Sequence, residues 1–343
     1  MSRATDISRT LDTHYGSDAD GLVWGYQFAP DKAPLVINGE AAARWLREPS
    51  PPGEFLWLHF SLSNAASERW LRERLDLSDD YYESLRESVG STRLELEDGA
   101  LIAVIHDALF NTTFDAGSIS TATMWIAPRL VVSARLRPLR SMDRLRAAVK
   151  TGQPLRSAGE LLAQLLREQA AVLVDIVRES TARVDDVEDM LLDNRVASSR
   201  AEMSAQRRSL VRLQRLLAPE PAALFRLLNR PPAWLGEEDV LDLRQAAEEF
   251  SVAVADSAAL TERLKLLQEE LAAIVNEHTN RTLFILTLVT VLALPINLVA
   301  GLLGMNVGGI PFAQHPHGFE MVLTTLAGVT GLLAWLMFLR RQD

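Results

Sequence analysis

The sequence predicts an α/β (or α+β) head domain, a long helical stalk and two C-terminal membrane-spanning helices. Strand-like segments alternate with short helical ones up to about residue 150. The chain then continues for long stretches with almost no glycine or proline. After Asn280 only five charged residues remain, namely Arg281, Glu320, Arg340, Arg341 and Asp343. The sequence therefore joins an acidic body to an apolar C-terminal part.

Charge and cysteine content exclude several classes of function. The first 280 residues hold 43 of the 45 acidic and 32 of the 35 basic residues, which argues against nucleic acid as a partner. The absence of cysteine excludes disulfides, thiolate metal sites and cysteine nucleophiles. No GxSxG, HExxH or P-loop motif is present, so we expect neither an enzyme nor a bound cofactor. The first ten residues lack the apolar core of a secretion signal, so we expect a cytoplasmic head.

Residues 1–150 form the predicted cytoplasmic head domain. Segments rich in aromatic or β-branched residues and bounded by turn residues are typical of strands, and five are present: 21–28, 54–60, 101–110, 121–127 and 130–135. A tight turn near Pro128 joins the last two of these strands. Residues 65–75 and 139–150 predict helices, which gives the mixed class of the domain.

Residues 151–280 form the predicted helical stalk. Residues 160–217 contain no glycine or proline, and residues 237–300 contain no glycine and one proline, Pro295. As one helix the second stretch would be about 96 Å long and would continue into the membrane. Pro219, Pro221 and the pair at 231–232 separate the helices. An acidic cluster at 185–189 indicates either a solvated helix face or a surface that recruits cations.

Residues 281–343 form the predicted membrane domain, with spans at 282–303 and 321–339 and an outside loop at 304–320. The first span has 22 residues without a charge, and a helix of that length is about 33 Å long, enough to cross a bilayer. Basic residues precede the first span and follow the second, whereas the loop between the spans has no lysine or arginine. Positive charge is typical of cytoplasmic ends, so we expect both termini in the cytoplasm.

One face of the first span carries polar residues at seven-residue spacing. Asn276, Leu283, Thr290, Asn297 and Gly304 share one stripe of a helix with a left-handed supercoil. Uncharged polar groups at membrane depth normally face protein or water. Two helices cannot enclose a pore, so parallel copies must do so, and the predicted pore-lining residues are Asn276, Thr279, Leu283, Leu286, Thr290, Leu294 and Asn297. The alternative is a helix–helix contact in which Asn297 bonds to a neighbour.

Directly after this span the chain reads Gly304-Met305-Asn306, and in this motif and its position the chain resembles the CorA superfamily of divalent-cation transporters. The residues that follow, VGGIP at 307–311, are similar to the ZntB branch, whereas the magnesium and cobalt channels usually carry Met-Pro-Glu here. WLHF at 57–60, LLAP at 216–219 and NRTL at 280–283 also look like ZntB. ZntB relatives often differ at Met305 and at 315–317, which leaves the metal less defined than the family.

The resemblance implies a funnel-shaped homopentamer in the bacterial inner membrane, with the first span around a central pore and the second in an outer ring. It implies uptake of Zn²⁺ coupled to protons, with cadmium, nickel or cobalt also accepted. The alternative among transporters is a magnesium/cobalt channel gated by cytoplasmic magnesium. A structural anchor or membrane sensor is the alternative outside transporters, and the polar seam argues against it.

The Gly304-Met305-Asn306 motif suits the binding of a cation that retains its hydration shell. Small divalent ions release water reluctantly, and the Asn306 side-chain carbonyl can accept bonds from a hydrated cation. Gly304, Met305 and Asn306 are therefore the predicted selectivity motif. His315 and His317 are the loop residues typical of zinc ligands, and Glu320 would add a carboxylate. The alternative is that the two histidines are solvated loop residues and that Glu320 reflects a position at the membrane interface.

Overall fold

The chain forms two units, Met1–Leu267 and Gln268–Asp343. This computed structural model describes residues 16–30, 32–49, 51–86, 92–109, 119–192, 199–305 and 315–339. The first unit contains the sheet and the helices packed on it, and the second contains the two apolar C-terminal helical segments. The domain boundaries at 150 and 280 stay a prediction.

Seven strands of the first unit form one sheet in the order β2-β1-β3-β7-β6-β5-β4. The strands are β1 (Leu22–Phe28), β2 (Leu35–Val36), β3 (Phe55–Ser61), β4 (Arg93–Glu97), β5 (Ala100–Ala108), β6 (Ile119–Ala127) and β7 (Leu130–Arg135). β3 and β7 are parallel, and the other neighbouring pairs are antiparallel. The sheet therefore consists of two antiparallel groups joined at one parallel pair.

Both faces of the central strands are buried, and this explains why those strands are mainly apolar instead of alternating with polar residues. Every residue of β3, β5 and β7 is buried. In β3, Phe55 and Trp57 enter one hydrophobic core, and Leu56 and Leu58 enter the other. The two-residue period of a strand thus supplies both cores from one segment.

Helices cover the two faces, so the first unit has three layers. One face is covered by α1 (Gly39–Arg47), α2 (Ala66–Arg74) and α3 (Asp79–Arg86). The other is covered by α4 (Arg140–Lys150), α5 (Ala158–Leu192), α7 (Pro219–Leu228) and the start of α8 (Glu237–Leu303). α6 (Ser199–Leu217) contacts α5 and α7. Helices that follow residue 150 therefore share a hydrophobic core with the sheet.

Local sequence explains where two of these helices begin. The Asn38 side chain accepts a hydrogen bond from the Ala41 backbone N–H at 2.9 Å and so caps α1. Pro219 lies in the first turn of α7, where the missing N–H of proline would have no helical partner in any case. The prolines that indicated a separation between long helices thus start a further helix at this point.

The acidic cluster of the stalk lies on α5 and is partly paired with α8. Arg263 donates to Asp185 at 2.8 Å and to Glu188 at 2.6 and 2.9 Å. These side chains are about one third to one half exposed, so the pairs are worth little individually. Their arrangement indicates that the cluster fixes α5 against α8.

The second unit contains the end of α8 and α9 (Gly318–Leu339). By length and composition both helices can cross a membrane, with mean hydropathy of 2.5 and 1.3 over their most apolar stretches. Almost no residue of those stretches is buried, unlike the core helix of a soluble protein. The predicted fold class, a mixed head followed by long helices and two apolar C-terminal helices, is confirmed; the funnel-shaped homopentamer stays a prediction.

Candidate ion pathway

The candidate pathway lies on the part of α8 that follows Gln268. From Asn276 to Asn297 this helix rises about 32 Å, and Asn276 and Thr279 precede the span predicted at 282–303. At 100° per residue the predicted pore-lining residues fall within an arc of about 80°. All seven are exposed, and they are Asn276, Thr279, Leu283, Leu286, Thr290, Leu294 and Asn297. We call this face the α8 seam.

A different side of α8 faces α9. A groove of about 580 Å³ lies between the two helices and is lined almost entirely by apolar side chains, with Pro295, Leu298, Val299 and Leu302 on the α8 side. Counted from Asn297, these four residues lie about 100–200° around the helix. The α8 seam is therefore turned away from α9. Pro295 lies on the side of the groove and not on the seam.

The seam threonines present oxygen lone pairs outward and use their hydrogens inward. Thr290 Oγ1 donates to the Leu286 carbonyl at 2.8 Å, and Thr279 Oγ1 donates to the Val275 carbonyl at 2.8 Å. A hydroxyl has one hydrogen and two lone pairs, so a hydroxyl bonded into its own helix can only accept on its outward side. Outward acceptors suit a hydrated cation, because its waters donate outward.

Leucines separate the polar positions of the α8 seam. Leu283, Leu286 and Leu294 are 54%, 63% and 66% exposed. Leucine side chains that face a water-filled path form apolar constrictions, which can control passage by excluding water. The seam thus combines polar levels, where a cation could be held, with apolar levels, where it would be blocked.

The selectivity motif is described only at its start. The Gly304 N–H donates to the Ala300 carbonyl at 3.0 Å and closes the last turn of α8. A side chain at Gly304 would place its Cβ 3.0 Å from that same oxygen, so the close turn favours glycine. Met305 is half-exposed. Asn306 lies outside the described residues, and its role stays a prediction.

His315, His317 and Glu320 lie together at the start of α9. The His317 backbone N–H donates to His315 Nδ1 at 3.2 Å, and His317 Nδ1 lies 3.3 Å from Glu320 Oε2. The side chains of His317 and Glu320 are 70% and 76% exposed, so this pair is weak. Across the described ranges no three His, Asp or Glu side chains form a group that could hold a metal. A zinc-binding role for these residues stays a prediction.

One protein family matches most of the chain, including the strands from β3 onward and both apolar helices. The model of the CorA-like Mg²⁺ transporter protein family matches residues 52–341. The chain belongs to this family. The resemblance found in the Gly304-Met305-Asn306 motif is thereby confirmed.

Two kinds of CorA-family transporter, CmaX and ZntB, are similar to this chain in sequence. The divalent cation transporter CmaX of Pseudomonas aeruginosa is 27% identical over 336 residues, which cover 95% of this chain and 98% of CmaX. The zinc transport protein ZntB of Pectobacterium atrosepticum is 27% identical over 283 residues, which cover 81% of this chain and 85% of ZntB. The similarity to ZntB does not exceed the similarity to CmaX.

Solved structures share the fold. The full-length CmaX protein superimposes with a TM-score of 0.80 at 26% identity, over 95% of this chain and 99% of that one. The CorA magnesium transporter of Methanocaldococcus jannaschii superimposes with a TM-score of 0.73 at 18% identity, over 91% and 96% of the two chains. The three-layer unit and the apolar helix pair therefore belong to the fold of this family.

This protein also contains a buried polar cluster that was not predicted from its sequence. Glu220 lies inside the first unit, close to Gln169 and to the backbone of His106. The available signal was a single glutamate between two prolines at the start of a mainly apolar helix. Such a residue is normally exposed, so its burial could not be read from the pattern.

Proposed function

We propose that this protein transports divalent cations across a membrane through a pore formed between copies of the chain. The observation that carries the proposal is the α8 seam, an exposed face with outward oxygen acceptors on a membrane-length helix. The seam points away from α9, so it becomes a pore lining only when several copies turn it toward one axis. Membership of the CorA family supports the same function.

The assembly we propose is a homopentamer in the cytoplasmic membrane, with both termini in the cytoplasm. The number five rests on the resemblance to CorA proteins, and the orientation rests on Arg281, Arg340 and Arg341 flanking the spans. Mass measurement of the gently extracted protein should give five copies. A stable monomer or dimer would contradict a shared pore.

The substrate we propose is Zn²⁺, taken up together with protons. Support comes from the similarity to proteins named ZntB, from VGGIP at 307–311, and from a loop at 305–318 that has no charged residue. In proteoliposomes, zinc uptake should exceed magnesium uptake, and an inward proton gradient should accelerate it. Magnesium flux without zinc flux would refute the zinc assignment and leave cation transport standing.

A magnesium/cobalt channel is the second candidate. The description of the matching family as Mg²⁺ transporters favours it. This candidate predicts magnesium flux that is insensitive to a pH gradient and that decreases when magnesium is present on the cytoplasmic side. The same proteoliposome experiment therefore separates the two candidates.

A further inference from the structure

A glutamate without exposed surface lies in the first turn of α7. Neither oxygen of the Glu220 carboxyl accepts a hydrogen bond from a donor within the described ranges. Nearby, Gln169 Nε2 of α5 donates to the His106 carbonyl of β5 at 2.7 Å, and Gln169 Oε1 is buried without a donor. We call Glu220, Gln169 and the main chain of His106 the Glu220 cluster.

Among the described residues, none donates a hydrogen bond of good geometry to three buried oxygens of the Glu220 cluster, which are the two carboxyl oxygens of ionised Glu220 and Gln169 Oε1. Buried polar atoms in native proteins nearly always have a hydrogen-bond partner. A proton on the carboxyl supplies the missing donor, because the O–H of Glu220 can donate to Gln169 Oε1. The protonated acid also avoids placing an uncompensated charge in the core.

A metal ion is a poorer explanation than a proton. The neighbouring carboxylate, Asp107, is already occupied, since it accepts from the Ser141 N–H at 2.8 Å, the Ser141 hydroxyl at 2.6 Å and the Ala108 N–H at 2.7 Å. The adjacent cavity of about 10 Å³ has room for roughly one water. Magnesium takes about six oxygen ligands and zinc about four, more than Glu220 and Gln169 supply.

The groups around Glu220 favour its protonated form. Burial raises the pKa of Glu220 to about 8, and the negative charge of Asp107 on β5 adds to this effect. The Gln169 side chain and the His106 backbone lie close enough to lower the pKa of Glu220 in part, although neither makes a hydrogen bond of good geometry to the carboxyl. The His106 ring uses Nδ1 in a contact of 3.2 Å with Thr92 Oγ1. Burial also raises the pKa of Asp107, to about 6, so Asp107 is ionised where Glu220 titrates.

We propose that the proton on Glu220 strengthens the docking of α7 onto α5 and β5, so that the packing of the first unit is linked to pH. Leu224 and Leu227 of α7 lie in the same core as Leu243 of α8. Release of α7 therefore uncovers the beginning of α8. This inference does not depend on the proposed transport function.

Hydrogen exchange of the α7 amides in the full-length protein, measured against pH, tests the proposal. When α7 is released, Glu220 becomes exposed and ionises. After the exchange rates are corrected for intrinsic base catalysis, the equilibrium constant for opening of α7 should therefore rise about tenfold per pH unit between roughly pH 5 and 8 and then level off. Glu220→Gln keeps the shape but cannot ionise, and it should abolish the rise. Glu249→Gln, an exposed change on α8, should leave it intact. A pH-independent α7 in the wild type would overturn the proposal.

Infrared difference spectra of the wild type give a second readout that needs no variant. The carbonyl band of a protonated carboxylic acid should disappear as the pH rises through about 8. A carboxyl that is ionised at pH 7 would refute the protonated cluster. Loss of the band on adding Mg²⁺ or Zn²⁺ at pH 7 would assign the cluster to a cation instead.

Discussion

Thr290→Val removes one outward oxygen from the α8 seam and changes almost nothing else. Valine has nearly the shape of threonine, and the lost hydroxyl hydrogen was bonded to the Leu286 carbonyl of the same helix. A hydrated cation that touches two copies of Thr290 at a time would lose two contacts of about 0.5–1.5 kcal/mol each. The barrier then rises by about 1–3 kcal/mol, and zinc flux into proteoliposomes should fall about 5- to 150-fold.

Thr330→Val on α9 is the matched control. Thr330 Oγ1 donates to the Leu326 carbonyl at 2.7 Å, the same type of bond, but on the helix outside the seam. This variant should transport at the wild-type rate. If Thr290→Val transports normally, or if Thr330→Val loses as much flux, the α8 seam is not the pathway. Both variants should keep the assembly mass of the wild type, which separates a transport defect from misassembly.

Three further changes test other parts of the molecule. Asn306→Ala should abolish most zinc flux without changing the assembly mass, and wild-type flux would reduce Asn306 to a turn residue. Arg263→Gln breaks the bonds to Asp185 and Glu188 and should lower the free energy of unfolding by about 1 kcal/mol or less, with a smaller difference at high salt. An unchanged thermal midpoint at low salt would show that these bonds do not stabilise the first unit. The pKa of Glu220 rises from 4.5 to about 8 on folding, so its contribution to stability is most favourable below pH 4.5 and declines by about 5 kcal/mol up to pH 8. In thermal unfolding, Glu220→Gln should flatten this decline, and an equally steep decline in the variant would refute it.

The strands predicted from sequence are those that the core requires. β1, β3, β5, β6 and β7 were predicted because apolar, β-branched and aromatic residues run together where a strand is covered. β4 was missed because it lies at the sheet edge and carries charged residues at Arg93, Glu95 and Glu97, as exposed edges often do. β2 has two residues, too few for a periodic signal.

The seven-residue spacing alone places the residues of the α8 seam on one face, so this shared face could be predicted from the sequence. That the face lines a pore stays a prediction. The direction of that face depends on contacts between α8 and α9, which no residue pattern encodes. The burial of Glu220 likewise results from the meeting of α5, α7 and β5. Contacts between distant segments therefore mark the limit of what could be predicted.

The single parallel pair determines when the sheet of the first unit can be completed. β1 and β3 form an antiparallel group from neighbouring segments, and β4 to β7 form another. Until residues 130–135 are synthesised, β3 is an edge strand. All seven residues of β3 are buried in the final structure. An apolar, unpaired edge is the type of surface on which nascent chains aggregate. Pairing of β3 with β7 is thus the late, long-range step that protects the growing chain from self-association.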